Sequence, residues 1–210
     1  MKELEKIIVI VMLTVLCLSA ADVKALILND GGVHTVDWII DEPVSVEDSS
    51  GGDFTTLNLV DGGEIVNWVN VFDYSQFNMS GGSIGFELFT YDYSQATITG
   101  GSIAYDLNAF HESEILVSGG SIGDSLNIQN NGRISISGSG FEIDGNPVDY
   151  GIYTALDYPL GTLTGTLTSG ELINIDFEIY DDASIFLVPE PATLLLITMG
   201  ALWLRRKNRI

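Results

Sequence analysis

The sequence predicts an all-β chain, a β-solenoid (β-helix) of about 19 residues per turn, and three observations predict it. Glycine pairs recur at Gly62-Gly63, Gly81-Gly82, Gly100-Gly101 and Gly119-Gly120, 19 residues apart each time, and a degenerate copy, Gly138-Ser139-Gly140, follows at the same step. Apolar columns keep that step: Ile65, Ile84, Ile103 and Ile122, then Val69, Leu88, Leu107 and Leu126. Near the end of each unit apolar and polar residues alternate, as in Phe77-Asn78-Met79 and Ile134-Ser135-Ile136. A fixed step of this length is the mark of a solenoid, and alternation at period two means strands with one face inward. Stacked turns lie about 4.8 Å apart, so equivalent residues form ladders. No single turn buries its apolar face alone, which is why the unit is repeated.

Taken in order along the chain, the first segment, residues 1–21, reads as a secretory signal peptide with an expected signal helix. Lys2 and Lys6, with Glu3 and Glu5 among them, precede the apolar run from Ile7 to Leu18, and Ser19-Ala20-Ala21 supplies the small residues of a cleavage site after Ala20 or Ala21. The run is shorter than the roughly 20 residues of a comfortable membrane span. Its Cys17 is the one cysteine of the chain, so the exported body has no thiol for disulfides, metal sites or nucleophilic chemistry.

Residues 22–61 read as irregular initial turns, with alternations such as Val44-Ser45-Val46 and Leu57-Asn58-Leu59. Residues 62–145 hold the regular repeats. Glycine pairs and polar clusters such as Asp73-Tyr74-Ser75-Gln76 supply the corners. Residues 146–187 alternate strongly, as in "GTLTGTLTSGELINIDFEIY", and read as closing strands that cap the open edge.

Residues 188–210 have three parts in order. Pro189-Glu190-Pro191 is a rigid spacer that cannot be helical. An apolar run from Ala192 to Leu204, expected as a tail helix, follows it, and Arg205, Arg206, Lys207 and Arg209 close the chain. The basic end belongs on the cytoplasmic side with the body outside. The short run suits a temporary hold.

This tripartite end resembles the PEP-CTERM sorting signal of exported proteins of Gram-negative bacteria, and the matching positions are Pro189, Glu190, Pro191, Arg205, Arg206 and Lys207. The resemblance implies export, transient insertion in the inner membrane and recognition by an exosortase-type protease that removes the tail. Delivery to the cell surface or extracellular matrix would follow. The "GGSI" units are similar to β-solenoid bodies carried by PEP-CTERM proteins of planctomycete-like bacteria, a likeness that implies no specific activity.

The chain carries 8 Lys+Arg against 29 Asp+Glu. Residues 21–188 alone hold 26 acids and 2 bases, Lys24 and Arg133. Such a body repels nucleic acid, whose binding rests on Lys and Arg at phosphates, and anionic membrane surfaces. It attracts divalent cations and basic partners.

Catalytic signals are sparse. His34 and His111 have no His or Cys at ligand spacing and read as polar corner residues. No Gly-x-Ser-x-Gly elbow or phosphate-binding glycine loop is present. A β-helix can host glycan chemistry, and Asp73 with Asp92, or Glu87 with Asp106, stand one turn apart as paired carboxylates. With so many acids some such pair must exist. The chain is therefore read as no enzyme, with no cofactor and no metal. Ca²⁺ between Asp73 and Asp92 is the one cation considered, against ordinary solvated side chains.

An aromatic column, Phe72, Tyr91 and Phe110, stands beside a second, Tyr74 and Tyr93. Facing inward they are core at a corner, which is the reading preferred. Facing outward they form a ladder for sugar rings. The functional expectation is an exported structural protein of the surface or matrix, associated with exopolysaccharide. The alternatives are a carbohydrate- or calcium-binding surface module and a β-helical polysaccharide-active enzyme.

Overall fold

A computed structural model describes residues 24–190. The expected signal helix and tail helix lie outside these residues. Within them the chain forms twenty strands and no helix.

The first coils contain β1 (Leu26–Leu28), β2 (Val33–Val36), β3 (Ile39–Ile40), β4 (Val44–Val46), β5 (Thr56–Leu59), β6 (Glu64–Ile65) and β7 (Val69–Val71). The regular coils follow with β8 (Gln76–Met79), β9 (Ser83–Ile84), β10 (Leu88–Thr90), β11 (Gln95–Ile103), β12 (Leu107–Phe110), β13 (Glu114–Ile122) and β14 (Ser125–Gln129). The last part comprises β15 (Arg133–Ile143), β16 (Asn146–Pro147), β17 (Gly151–Thr154), β18 (Leu160–Leu167), β19 (Leu172–Ile179) and β20 (Ser184–Pro189).

Parallel pairing sorts these strands into three faces of a solenoid of about six turns. The first face stacks β2, β5, β8, the start of β11, the start of β13, β15 and β20. The second stacks β3, β6, β9 and the ends of β11 and β13. The third stacks β1, β4, β7, β10, β12, β14 and β19. The expected columns are these registers: Ile40, Ile65, Ile84, Ile103 and Ile122 pair in sequence, as do Val44, Val69, Leu88, Leu107, Leu126 and Phe177. Nearly all of their side chains are buried in one continuous core, where each large aliphatic contributes about 1.5–3 kcal/mol. Volume is traded between rungs: Phe77 stacks on Ala96, and Thr90 on Ala109.

Within residues 22–61, read as irregular initial turns, the strands from β1 to β5 are in register with the rest. Val44 pairs with Val69 and Leu57 with Phe77, and the irregularity is confined to longer corner loops such as residues 47–55. The closing segment does two things. After β15 the chain leaves the stack, and β16, β17 and β18 run antiparallel to their partners. It then returns, and β19 and β20 add a last parallel coil on β14 and β15. The excursion covers that coil, with β17 antiparallel to β20 and β18 antiparallel to β19. β18 pairs on both sides, with β15 and β19, whereas β17 pairs with β20 alone.

Candidate functional site

From β7 onward the corner from the third face to the first is built the same way in each coil. Its second residue has positive φ in Asp73 (57°), Asp92 (57°), His111 (57°), Asn130 (58°) and Asp181 (55°). Asp, Asn and His are the side chains that best tolerate this conformation apart from glycine. Backbone geometry alone thus accounts for the acidic column that suggested calcium. Asp92 Oδ1 lies 3.5 Å from His111 Nδ1. Among the described residues no group of three or more His, Cys, Asp or Glu is placed to hold a metal ion.

Beneath this corner Thr55, Ser75, Ser94 and Ser113 form a buried polar column. Ser94 Oγ accepts from the Tyr91 amide at 3.1 Å. The Ser75 hydroxyl donates to Asp48 Oδ1 at 3.0 Å, and the Thr90 hydroxyl lies 2.9 Å from Ser113 Oγ. Among the described residues no buried side-chain polar atom lacks a partner.

The aromatic columns do not join the core, contrary to the inward reading. Phe72, Tyr91 and Phe110 are half-buried on the outer surface of the third face, and Tyr74 and Tyr93 are exposed. The reason is the strand pleat: Val69 and Val71 point in, so Phe72 and its rung-mates, one residue further on, point out. The rings stack on each other. Phe72 and Tyr91 lie 4.9 Å apart with planes 9° from parallel, and Tyr91 and Phe110 lie 5.3 Å apart at 23°. Tyr74 and Tyr93 repeat this at 5.0 Å and 8°. Phe86 and Tyr105, one corner away, stack at 5.5 Å and 23°, a pair the columnar reading passed over.

Flat rings this close and this parallel cannot lie side by side without their rims colliding, so they overlap face to face with an offset. Tyr91 thus has a neighbouring ring against each face. Phe89 lies beside it at 6.2 Å.

Glu87 and Asp106 stand on adjacent rungs of the same surface, since Leu88 pairs with Leu107. Burial, with the neighbouring Asp106 carboxylate second, raises the Glu87 pKa above its ordinary value. Burial, and then Glu87, raises that of Tyr91. Asp106 Oδ1 accepts from the Ser125 amide at 3.0 Å and its hydroxyl at 2.8 Å.

The two histidines diverge. His111 is a corner residue, as expected. His34 lies in β2 on the column of Leu57 and Phe77, so it occupies an inward position of the first coil and bonds Asp30 Oδ1 at 2.9 Å. Of the sorting motif, Pro189 ends β20 opposite Gly138, and Glu190 Oε1 accepts from the Ser139 hydroxyl at 3.0 Å. Pro191, Arg205, Arg206, Lys207, Ala20 and Ala21 lie outside the described residues.

No protein-family model matches this sequence, and no curated protein or solved structure matches it either.

Proposed function

We propose that this protein is an exported, non-enzymatic structural component of the cell surface or extracellular matrix, a stiff acidic rod associated with exopolysaccharide. The observation that carries the reading is the single uninterrupted core shared by about six coils, with β17 and β18 laid against the last of them. A stack of this kind sets a length and resists bending, and its external aromatic columns reinforce the rungs. In this reading residues 1–21 export the chain, and an exosortase-type protease recognises Pro189-Glu190-Pro191 and frees the body from its tail.

Fractionation of producer cells tests this. The expected result is a surface or matrix form that lacks Arg205 to Lys207 by mass spectrometry, with looser polysaccharide retention when the protein is deleted. An intact chain ending at Ile210 and confined to the cytoplasm would sink the proposal.

The outward facing of Phe72, Tyr91 and Phe110 favours a second reading, a carbohydrate-binding surface module. Sugar hydroxyls would meet the Tyr91 hydroxyl and the Glu87 and Asp106 carboxylates, and a sugar ring could stack only at the ends of the column. Retention on the producer's exopolysaccharide should then fall with Tyr91→Ala, and unchanged retention counts against it. Calcium binding at the Asp73–Asp92 column predicts a higher melting temperature in millimolar calcium, and no shift removes that idea.

A further inference from the structure

The repeat departs from its own pattern at one position that the rod itself does not explain. Gly82, Gly101 and Gly120 follow one another at the 19-residue step, each with positive φ, and the next residue in that column is Ser139. Positive φ has moved one residue on, to Gly140 at 63°, so position 139 is free to carry an L side chain. The Ser139 hydroxyl donates to Glu190 Oε1 at 3.0 Å, from a residue 51 positions away in the chain. The coil that breaks the glycine pair is therefore the coil on which the sorting motif begins.

This seat is fixed from behind. Gly138 pairs with Leu167 and Ser139 with Thr166 of β18, and a Cβ on Gly138 would run into the Thr166 carbonyl. On its other edge β15 carries β20, with Val188 opposite Ser137 and Pro189 opposite Gly138. β20 is held unevenly. Through Leu187 it has a partner strand on each side, β15 and β17, and its Ile185 and Leu187 are buried in the core. From Val188 onward the pairing with β17 has ended, and among the described residues β15 and the Ser139–Glu190 hydrogen bond hold the chain. A strand end paired on one side is where local opening starts.

We propose that Ser139 is a latch on the sorting motif: its hydroxyl holds Glu190 against the body, and the processing protease must open that contact to take the motif up. The inference rests on the reading of Pro189-Glu190-Pro191 as a processing signal. Recognition of an extended segment uses its free main-chain and side-chain groups, whereas the fold already engages Pro189 and Glu190. Opening stops at Val188, because the doubly paired part of β20 is anchored by Ile185 and Leu187. The body thus slows the loss of its own tail through a residue that is no part of the signal.

The test is a pulse-chase of tail loss in the producer, with the intact mass of the released form. Ser139→Ala leaves the motif untouched and should speed tail loss by about two- to tenfold, the equilibrium worth of one such hydrogen bond, while the released body melts as the native one does. Ser139→Thr keeps the hydroxyl and should match the native rate. Ser137→Ala should match it too, since that hydroxyl meets Thr168 Oγ1 at 2.9 Å and not the motif. Should Ser139→Ala melt early, Ser139→Thr against Ser139→Val, alike in shape and different in the hydroxyl, makes the same comparison. Tail loss at the native rate or slower without the hydroxyl overturns the latch. So does a released form that ends before Val188, because β20 would then have left the core. A native chain that never loses its tail sinks the sorting reading and the latch with it, and native protein alone shows that outcome.

Discussion

A single backbone conformation recurs at the corner between the third and first faces, and the side chains there follow from it. Asp92 has φ near 57°, where a β-branched residue is strained and glycine is at ease. Asp92→Val should cost about 1–2 kcal/mol, whereas Asp92→Gly should change stability by only a few tenths. Urea unfolding of the two variants separates this account from one in which the carboxylate itself matters, because there both substitutions would hurt alike. The glycine pairs answer a different need. Gly101 combines φ of 86° with a Cβ position only 2.7 Å from Gly81 O, so the neighbouring coil leaves no room for a methyl group.

Glu87 poses an electrostatic question on the same scale. Its raised pKa, due first to burial and second to Asp106, means that the folded protein holds the proton more tightly than the unfolded chain. Ionisation of Glu87 therefore costs stability, and that cost is present above its folded pKa. It fades as pH falls and is gone below about pH 4, where the group is protonated in both states. Glu87→Gln should raise the melting temperature at neutral pH and have no such effect below about pH 4. Equal melting at both pH values would show that the carboxylate is fully solvated.

Among the elements, the β18–β19 hairpin holds the cap to the stack. Its loop places Glu171 so that a carboxylate oxygen accepts from the Gly120 amide and, at 2.9 Å, from the Ser169 hydroxyl. Removal of this acceptor leaves a partly buried N–H without a partner. Glu171→Ala should cost about 1–3 kcal/mol, with faster hydrogen exchange at Gly120. Glu178→Ala, whose only side-chain partner among the described residues is the Tyr180 hydroxyl, should be nearly silent. If both variants behave alike, the hairpin is not held by this contact. The buried Ser75–Ser94–Ser113 column belongs to the same scale, because it lets polar corners enter the core with their hydrogen bonds complete.

For the molecule as a whole, the period is the structural unit. Deletion of residues 100–118 removes one coil and rejoins Ile84 to Ile122 in register. The shortened chain should fold, with a rod about 4.8 Å shorter and a modest loss of melting temperature. Deletion of only half that length would put polar residues on core columns and should abolish folding. Small-angle scattering with circular dichroism reads both outcomes.

Composition and period were enough to determine the coil, its inward columns and the strand class, because a stacked architecture writes each core position several times at one spacing. Val69, Leu88, Leu107 and Leu126 are legible for that reason. The terminal patterns behind the proposed export and sorting are local to the chain and independent of any packing. Other features are written only once, or depend on which strand lies beside which. The outward facing of Tyr91 depends on where the strand ends and the corner begins. The return of β19 and β20 to the stack follows a detour that no repeat announces. The inward position of His34 appears only once β2 is set against β5. These were decided by tertiary structure, because pairing and burial are relations between distant segments, and a residue's own neighbours in the chain do not record them.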